Sequence, residues 1–350
     1  MKHVNHDFEP TLIRAMKAAN VPGAAMLIIR DGQIASAKGY GVADQKTGRP
    51  VTPDTMFTIA SVSKTVTATA LMTLYEQGRF GLDEDVNMYL PFSVRNPNFP
   101  ETPITFRMLM SHTSSIQDTS VLEERYTLRQ TPVLFDSPIP LGDFLRDYLS
   151  RDGTLYNAKD NFLENAPGSK YAYSNTGFGL VGYLAECISG MPFDAYCKQS
   201  VFIPLGMKHS AWFFKDVDLD QMAVPYPYGF NGYPTYPDGA LKTSVNEFAR
   251  FLSIFMNEGK TLDGKSFLRP ETIKEMLTLK TFPGLDAGVS VGLAWHFEGG
   301  NYVHSGSEPG ISTVAYFNPD GRRAVIFFSN GDNFDFVSIP GLAPFWGHEN

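Results

Sequence analysis

Residues 58–78 read TIASVSKTVTATALMTLYEQG, and this stretch determines the central part of the fold. From Val66 onward the apolar residues recur at helical spacing, and Gly78 is a typical stop signal. The pattern predicts a buried helix whose first turn contains Ser61. Because Ser61 and Lys64 are three residues apart, both lie on the same face of this helix, with Lys64 one turn deeper.

Ser61 and Lys64 have the residue types of a nucleophile and its base. A serine hydroxyl attacks a carbonyl efficiently only when a base takes its proton. Burial of Lys64 favours the neutral amine, which can accept that proton, and a helix amino terminus favours negative charge at Ser61. The Ser-x-x-Lys pattern occurs once in the chain. The alternative is an exposed capping serine followed by an exposed lysine.

The pattern Tyr-x-Asn occurs twice, at Tyr173–Asn175 and at Tyr316–Asn318. Tyr316 lies in an alternating segment that predicts a strand, so its ring is expected to pack in the sheet. Tyr173 follows a Pro-Gly pair in a loop that opens a helix. Because catalytic residues are often placed on loops held by rigid elements, Tyr173 and Asn175 are the predicted site residues.

A third polar cluster, His304-Ser305-Gly306, is predicted at the end of a strand. Gly306 would let a substrate backbone approach closely where a side chain would block it. A histidine in such a position is more often structural than catalytic. The three clusters together predict a nucleophilic hydrolase.

A competing motif lies at residues 288–292, whose sequence is Gly-Val-Ser-Val-Gly. It matches the Gly-x-Ser-x-Gly elbow of α/β-hydrolases, which needs a buried strand before the serine and a helix after it. Here a Pro-Gly-Leu-Asp loop precedes the motif and a predicted strand follows it. Ser290 is therefore rejected as the nucleophile.

The order Ser-x-x-Lys, Tyr-Ser-Asn, His-x-Gly resembles the penicillin-recognising serine hydrolases, above all the branch of class C β-lactamases, D-alanyl-D-alanine carboxypeptidases, D-aminopeptidases and related esterases. Residues 109–114 and 239–244 also look like this family, and the likeness covers nearly the whole chain. The resemblance implies that Ser61 forms an acyl-enzyme and that Lys64 and Tyr173 share the base role. It implies an oxyanion hole made by the amides of Ser61 and Ser307. The substrate-binding residues that it implies are Asn175, His304, Ser305, Gly306 and Ser307.

The chain also departs from the family pattern. Many relatives have Lys-Thr-Gly at the position of residues 304–306, and histidine is a weaker cation for gripping a substrate carboxylate. This change predicts inefficient penicillin hydrolysis. Ser115 replaces the glycine that usually follows His-Thr-Ser, and Pro340 and Pro344 argue against a long terminal helix.

The strand patterns lie at the two ends of the chain, and helical patterns lie between them, which predicts an α+β fold. The resemblance implies a β-lactamase/transpeptidase-like fold, a three-layer α/β/α antiparallel sheet with an inserted all-α subdomain. One catalytic domain, 1–350, is expected to have an α/β part (about 1–60 and 240–350), an all-α part (about 61–200) and an aromatic loop near the site (212–238). The predicted strands are 24–30, 33–40, 292–298, 302–304, 313–318 and 323–329.

Composition excludes several other classes of protein. The formal charge of -8 comes with no basic run, which argues against a nucleic-acid partner. Neither the two cysteines nor the seven histidines have metal-ligand spacing, so no metal or other cofactor is predicted. Without a transmembrane run or signal peptide, the chain is expected to be cytoplasmic as written, or periplasmic or secreted if it is a trimmed mature form. The sequence does not indicate an oligomeric state.

The predicted activity is acyl transfer to water from an ester or amide of a small molecule or short peptide, including peptides with D-amino acids. D-alanyl-D-alanine carboxypeptidase or weak β-lactamase activity is the enzymatic alternative. The other alternative is a penicillin-binding-like sensor or scaffold that is acylated without turnover, or that only packs against a partner.

Overall fold

An antiparallel sheet of eight strands lies at the centre of the computed structural model, which describes residues 8–120, 122, 136–332, 334–336 and 339. Its strand order is β3-β2-β1-β10-β9-β8-β7-β6, and a separate pair is formed by β4 and β5. The strands are β1 (Gly23–Arg30), β2 (Gln33–Asp44), β3 (Arg49–Pro50), β4 (Phe57–Thr58), β5 (Lys242–Thr243), β6 (Ser290–Val291), β7 (His296–Glu298), β8 (Asn301–Glu308), β9 (Ile311–Phe317) and β10 (Arg323–Ser329).

Helices fill the chain between the early and late strands, as the sequence predicts. The predicted helices at residues 11–19, from Ser61, at 141–149 and at 178–188 are confirmed. The α-helices among the described residues are α1 (Phe8–Ala18), α2 (Ser63–Glu76), α3 (Phe106–Met110), α4 (Leu141–Leu149), α5 (Asn175–Ser189), α6 (Phe193–Cys197), α7 (Ile203–Leu205), α8 (Val245–Met256) and α9 (Pro270–Met276).

Both faces of the central strands are buried, which gives the molecule three layers. Residues of β1 alternate between two apolar clusters, because successive side chains of a strand point to opposite faces. One face packs against α1, and the other packs against the larger core that contains α2 and α8. The three-layer α/β/α fold predicted from the sequence is therefore confirmed. The β1 residues facing α1 are Ala24, Met26 and Ile28, and those facing the larger core are Ala25, Leu27 and Ile29.

The predicted strand at 292–298 is wrong in its first half. Residues 292–295 form a turn closed by a hydrogen bond from Gly292 N to Trp295 O at 2.7 Å. The indole of Trp295 packs edge-on against Phe317 in the core, with ring centroids 5.1 Å apart. Burial of this large ring explains why an apolar, strand-like sequence forms a turn here. The strand predicted at 302–304 is longer, so His304 lies in the middle of β8 and not at its end.

Several other features bear on the predictions. Cys187 and Cys197 are both free thiols. No helix in the described part of the chain is long and apolar enough to cross a membrane. Pro340 and Pro344, which argued against a terminal helix, lie outside the described residues. The division into an α/β part and an all-α part stays a prediction.

Candidate active site

Ser61 lies in a tight turn between the small β4–β5 sheet and α2. Residues Ala60–Val62 form a single 3-10 turn that runs directly into α2. Ala60 has a φ of 45°, in the left-handed region that non-glycine residues rarely adopt. Such strain persists only where the surrounding structure enforces it, and it is common beside functional residues. The nucleophile predicted from the sequence is thus held in a locally constrained segment.

Lys64 is fully buried and makes three hydrogen bonds. Its Nζ lies 3.0 Å from Ser61 Oγ and 2.7 Å from Asn175 Oδ1. The third bond is to the main-chain oxygen of Asp238, at 2.7 Å. Two of these partners are carbonyl oxygens, and the third is the hydroxyl of the predicted nucleophile. The structure therefore brings Ser61, Lys64 and Asn175 together, although they come from two different helices.

The aromatic ring of Tyr173 lies beside the Lys64 amine. The Lys64 Nζ lies 4.9 Å from the centre of the Tyr173 ring, and the His112 ring stacks on Tyr173 with centroids 4.2 Å apart. Among the described residues, no hydrogen bond reaches the Tyr173 hydroxyl, and 37% of the residue's surface is exposed. The phenol is accessible beside the lysine, and its share in proton transfer stays a prediction.

Asp118, which the sequence analysis missed, fixes the start of α5. Its carboxylate accepts hydrogen bonds from the Ser174 hydroxyl (3.0 Å), the Asn175 amide (2.6 Å) and the Thr176 amide (3.0 Å). Ser174 Oγ in turn accepts from the Gly177 amide at 2.9 Å. A carboxylate at a helix amino terminus satisfies free N–H groups and complements the helix dipole. The cap holds Asn175 where it contacts Lys64.

Three histidine rings lie behind Tyr173. The His296 ring is 5.6 Å from His304 and 6.4 Å from His112, measured between centroids. Burial lowers the pKa of His296 to about 4 and lowers the pKa values of His112 and His304 well below the usual range. The nearby His296 and Lys64 charges act in the same direction on His304. These rings are therefore neutral at pH 7, and His304 is no substitute for a lysine cation.

The middle of β8 lies directly behind the nucleophile. A Cβ atom on Gly306 would be 2.6 Å from Ile59 O and 2.9 Å from Ser61 N. The space freed by this glycine is therefore filled by the backbone that carries Ser61. Contact between Gly306 and a substrate stays a prediction. Gly306 allows β8 to pack against the nucleophile turn.

The register of β8 decides which of its groups can meet a substrate. Glu308 and Ile311 close a two-residue turn to β9, so Ser307 and Ser312 form the next pair, which is not hydrogen-bonded. The Ser307 amide consequently points away from β9. On the other side of β8, the paired segment of β7 ends opposite Val303 and does not reach Ser307. The register thus leaves the Ser307 amide outside the β8–β9 ladder, and its role as an oxyanion donor stays a prediction. The exposed side chains of Ser305 and Ser307 lie on the face opposite His304.

The glycine in β8 leads to a test. We expect Gly306→Ala to cost about 1–3 kcal/mol of stability, because the added methyl group must displace backbone atoms. It should lower kcat more strongly than this loss suggests, since the displaced atoms carry Ser61. Gly81→Ala is the control, because its methyl group would meet only the flexible Glu84 side chain, at 3.2 Å. Unchanged kcat in folded Gly306→Ala protein would contradict the inference that β8 supports the turn carrying Ser61 at this glycine.

The competing serine, Ser290, lies on a different element from Ser61 and Lys64. Ser290 begins β6, a two-residue edge strand paired with β7. No helix follows directly, because residues 292–295 turn the chain back into β7. The elbow geometry of the α/β-hydrolases is therefore absent at this position, which supports the rejection of Ser290 as the nucleophile.

The predicted aromatic loop has mixed roles. Tyr236 is buried against Phe213, with centroids 4.6 Å apart, and belongs to the core. Tyr228 and Phe230 instead line a small pocket with Thr58 and Glu308. The described residues contain no cluster of His, Cys, Asp or Glu suited to a metal ion.

A large antiparallel sheet between helical layers, with Ser-x-x-Lys at the start of a buried helix, defines the β-lactamase/transpeptidase class of proteins. The family described as Beta-lactamase matches residues 8–341. The chain therefore belongs to the Beta-lactamase family.

Curated and solved relatives have several different descriptions. The chain is 28% identical over 327 residues to a putative penicillin-binding protein, PbpX, of Bacillus subtilis, covering 91% of this chain and 73% of the relative. It is 31% identical over 218 residues to the esterase EstB of Burkholderia gladioli, covering 62% of this chain and 53% of the relative. An octameric penicillin-binding protein homologue from Pyrococcus abyssi superimposes with a TM-score of 0.76 at 25% identity, over 99% of this chain and 78% of that one.

Proposed function

We propose that this protein is a serine hydrolase that forms an acyl-enzyme at Ser61 and acts on an ester or amide bond of a small molecule or short peptide. The observation that carries the proposal is the hydrogen bond of 3.0 Å between Ser61 Oγ and Lys64 Nζ, at the amino-terminal turn of a buried helix. A nucleophile within reach of its base is the minimum that covalent acyl transfer requires.

The proposed reaction has two steps. Ser61 Oγ bonds to the substrate carbonyl carbon as its proton passes to the Lys64–Tyr173 pair, and the oxyanion accepts hydrogen bonds from the Ser61 and Ser307 amides. The same pair returns the proton to the leaving alcohol or amine as the scissile bond breaks. Water then attacks the acyl-enzyme and restores the serine. The base role is assigned to the pair jointly, because interacting groups titrate together.

The polar groups around Ser61 favour a neutral substrate. The Asn175 amide oxygen is engaged by Lys64, which leaves its Nδ2 group to donate to a substrate carbonyl. His304 is buried and neutral, so β8 offers no cation to a substrate carboxylate at this position. Neutral esters and amides should therefore be better substrates than penicillins, which carry a carboxylate.

Labelling with a fluorophosphonate probe tests the proposal. We expect one adduct per chain, located on Ser61 by mass spectrometry, and repeated turnover of p-nitrophenyl butyrate. Rates with nitrocefin and with D-alanyl-D-alanine peptides should be much lower. Folded protein without an adduct would contradict the proposal, and stoichiometric labelling without turnover would favour the sensor alternative.

A further inference from the structure

Asp238 has a buried carboxyl group beside the proposed catalytic lysine. It ends the 3-10 turn Tyr236–Asp238, which packs against α2 and α5. The Thr67 hydroxyl of α2 donates to Pro237 O at 2.6 Å and fixes this turn. The main-chain oxygen of Asp238 accepts from Lys64 Nζ at 2.7 Å, and its carboxyl group lies close enough for the Lys64 charge to act on it.

One oxygen of the Asp238 carboxyl group has no partner. The residue is 1% exposed, and its Oδ2 atom makes no hydrogen bond within the described part of the chain. An ionised carboxylate in such a position would leave a buried charge that is poorly solvated. A protonated, neutral carboxyl group has a much smaller desolvation cost. The geometry therefore favours the acid form of Asp238.

The surrounding charges favour the same form. Lys64 of α2 is the cation facing Asp238, and the other charged groups that act on it are the carboxyls of Asp118 and Glu308. Three ionised carboxyl groups around a single lysine would leave excess negative charge, which favours a proton on the most buried of them. Burial raises the pKa of Asp238 to about 8; the Lys64 charge and a side-chain hydrogen bond with Thr235 oppose this rise, and the Glu308 and Asp118 charges add to it.

Asp118 and Glu308 each have donors that Asp238 Oδ2 lacks. The Asp118 carboxylate accepts three hydrogen bonds from the start of α5. Glu308 Oε1 accepts one from the Tyr233 hydroxyl at 2.7 Å. Asp238, whose side chain also hydrogen-bonds with Thr235, is the most deeply buried of the three carboxyl groups, and its ionisation would change the field at Lys64 most directly.

We propose that Asp238 is a positioning residue that controls the charge of Lys64: its acid form leaves the amine able to accept the Ser61 proton, and its ionisation slows acylation. The inference rests on the proposed function of Ser61 and Lys64. An anion beside Lys64 stabilises the ammonium form, which cannot take up a proton. The acid form supplies no such anion. Wild-type acylation should therefore weaken in mildly alkaline solution.

The pH dependence of kcat/KM for p-nitrophenyl butyrate tests this inference. We expect Asp238→Asn to match the wild type within about twofold below pH 7 and to exceed it several-fold above about pH 8, where only the wild type acquires the charge. Asp220→Asn removes an exposed carboxyl group and should reproduce the wild-type profile. Parallel profiles of wild type and Asp238→Asn would overturn the proposal, as would a folded Asn variant without activity at any pH.

An infrared titration of the wild type keeps the test independent of the Asn variant's folding. The C=O stretch of a protonated carboxyl group should be present at neutral pH, vanish as the pH rises past about 8, and be missing from Asp238→Ala. Absence of this band from wild-type protein at neutral pH would overturn the proposal. Failure of the proposed function has a different signature, since wild-type Ser61 would then not react with the fluorophosphonate probe.

Discussion

Replacing Ser61 with alanine should lower kcat/KM for p-nitrophenyl butyrate by about 10⁴-fold or more, because the acyl-enzyme can no longer form. The hydroxyl that Lys64 contacts at 3.0 Å is lost, while the 3-10 turn that carries Ser61 and the buried helix α2 that follows it are unchanged. The variant should fold normally and should give no adduct with the fluorophosphonate probe.

Ser290→Ala is the matched control for the nucleophile. Ser290 lies on the edge strand β6, and its loss should leave both labelling and turnover close to wild-type values. If instead Ser290→Ala abolished turnover and Ser61→Ala retained it, the site described here would not be the catalytic one.

Replacing Lys64 with methionine should lower the acylation rate by about 10³-fold, since general acid–base groups contribute about 10²–10⁴-fold. Methionine has a similar length and no charge, so it tests proton transfer with little change in packing. The variant also leaves Asn175 Oδ1 and the Asp238 main-chain oxygen without their donor, which should cost about 1–3 kcal/mol for each buried group. Stopped-flow measurement of the acylation burst separates this effect from deacylation.

Lys242→Met is the control, because it makes the same substitution at another buried lysine. Lys242 is also fully buried, and its Nζ donates to Trp212 O at 2.8 Å and lies 3.8 Å from the centre of the Phe214 ring. Its replacement should leave the burst unchanged. A normal burst in Lys64→Met protein would show that Tyr173 accepts the serine proton without the lysine.

The core of the site could be predicted because its chemistry depends on local spacing. Ser61 and Lys64 share a helical turn, and Asn175 begins a helix whose capping serine is visible in the sequence. Asp118 could not be found in this way, because its hydrogen bonds span more than 50 residues and no local pattern marks them. Asp238 holds Lys64 through a main-chain oxygen, which every residue type possesses.

The fold predictions were correct where local sequence determines the structure and wrong where tertiary packing does. The β1–β2 hairpin was predictable because its Asp31-Gly32 turn has two positive φ values, of 52° and 74°, which Asp and Gly tolerate. The turn at residues 292–295, just before β7, could not be predicted, because it depends on the burial of Trp295 against Phe317, which is a tertiary effect. Gly306 was correctly singled out as a place of close approach, but the approaching atoms belong to the chain itself.

The pairing of β1 with β10 has a consequence for synthesis on the ribosome. Ala24 lies opposite Ser329, so one of the earliest segments to emerge must wait for one of the last before the sheet closes. Non-local pairing of this kind slows folding and leaves an unpaired edge exposed in nascent chains. Ser61 is translated early, but β8, the strand that packs against its turn, is translated late. We therefore expect the proposed site to become complete only after β8–β10 have been translated.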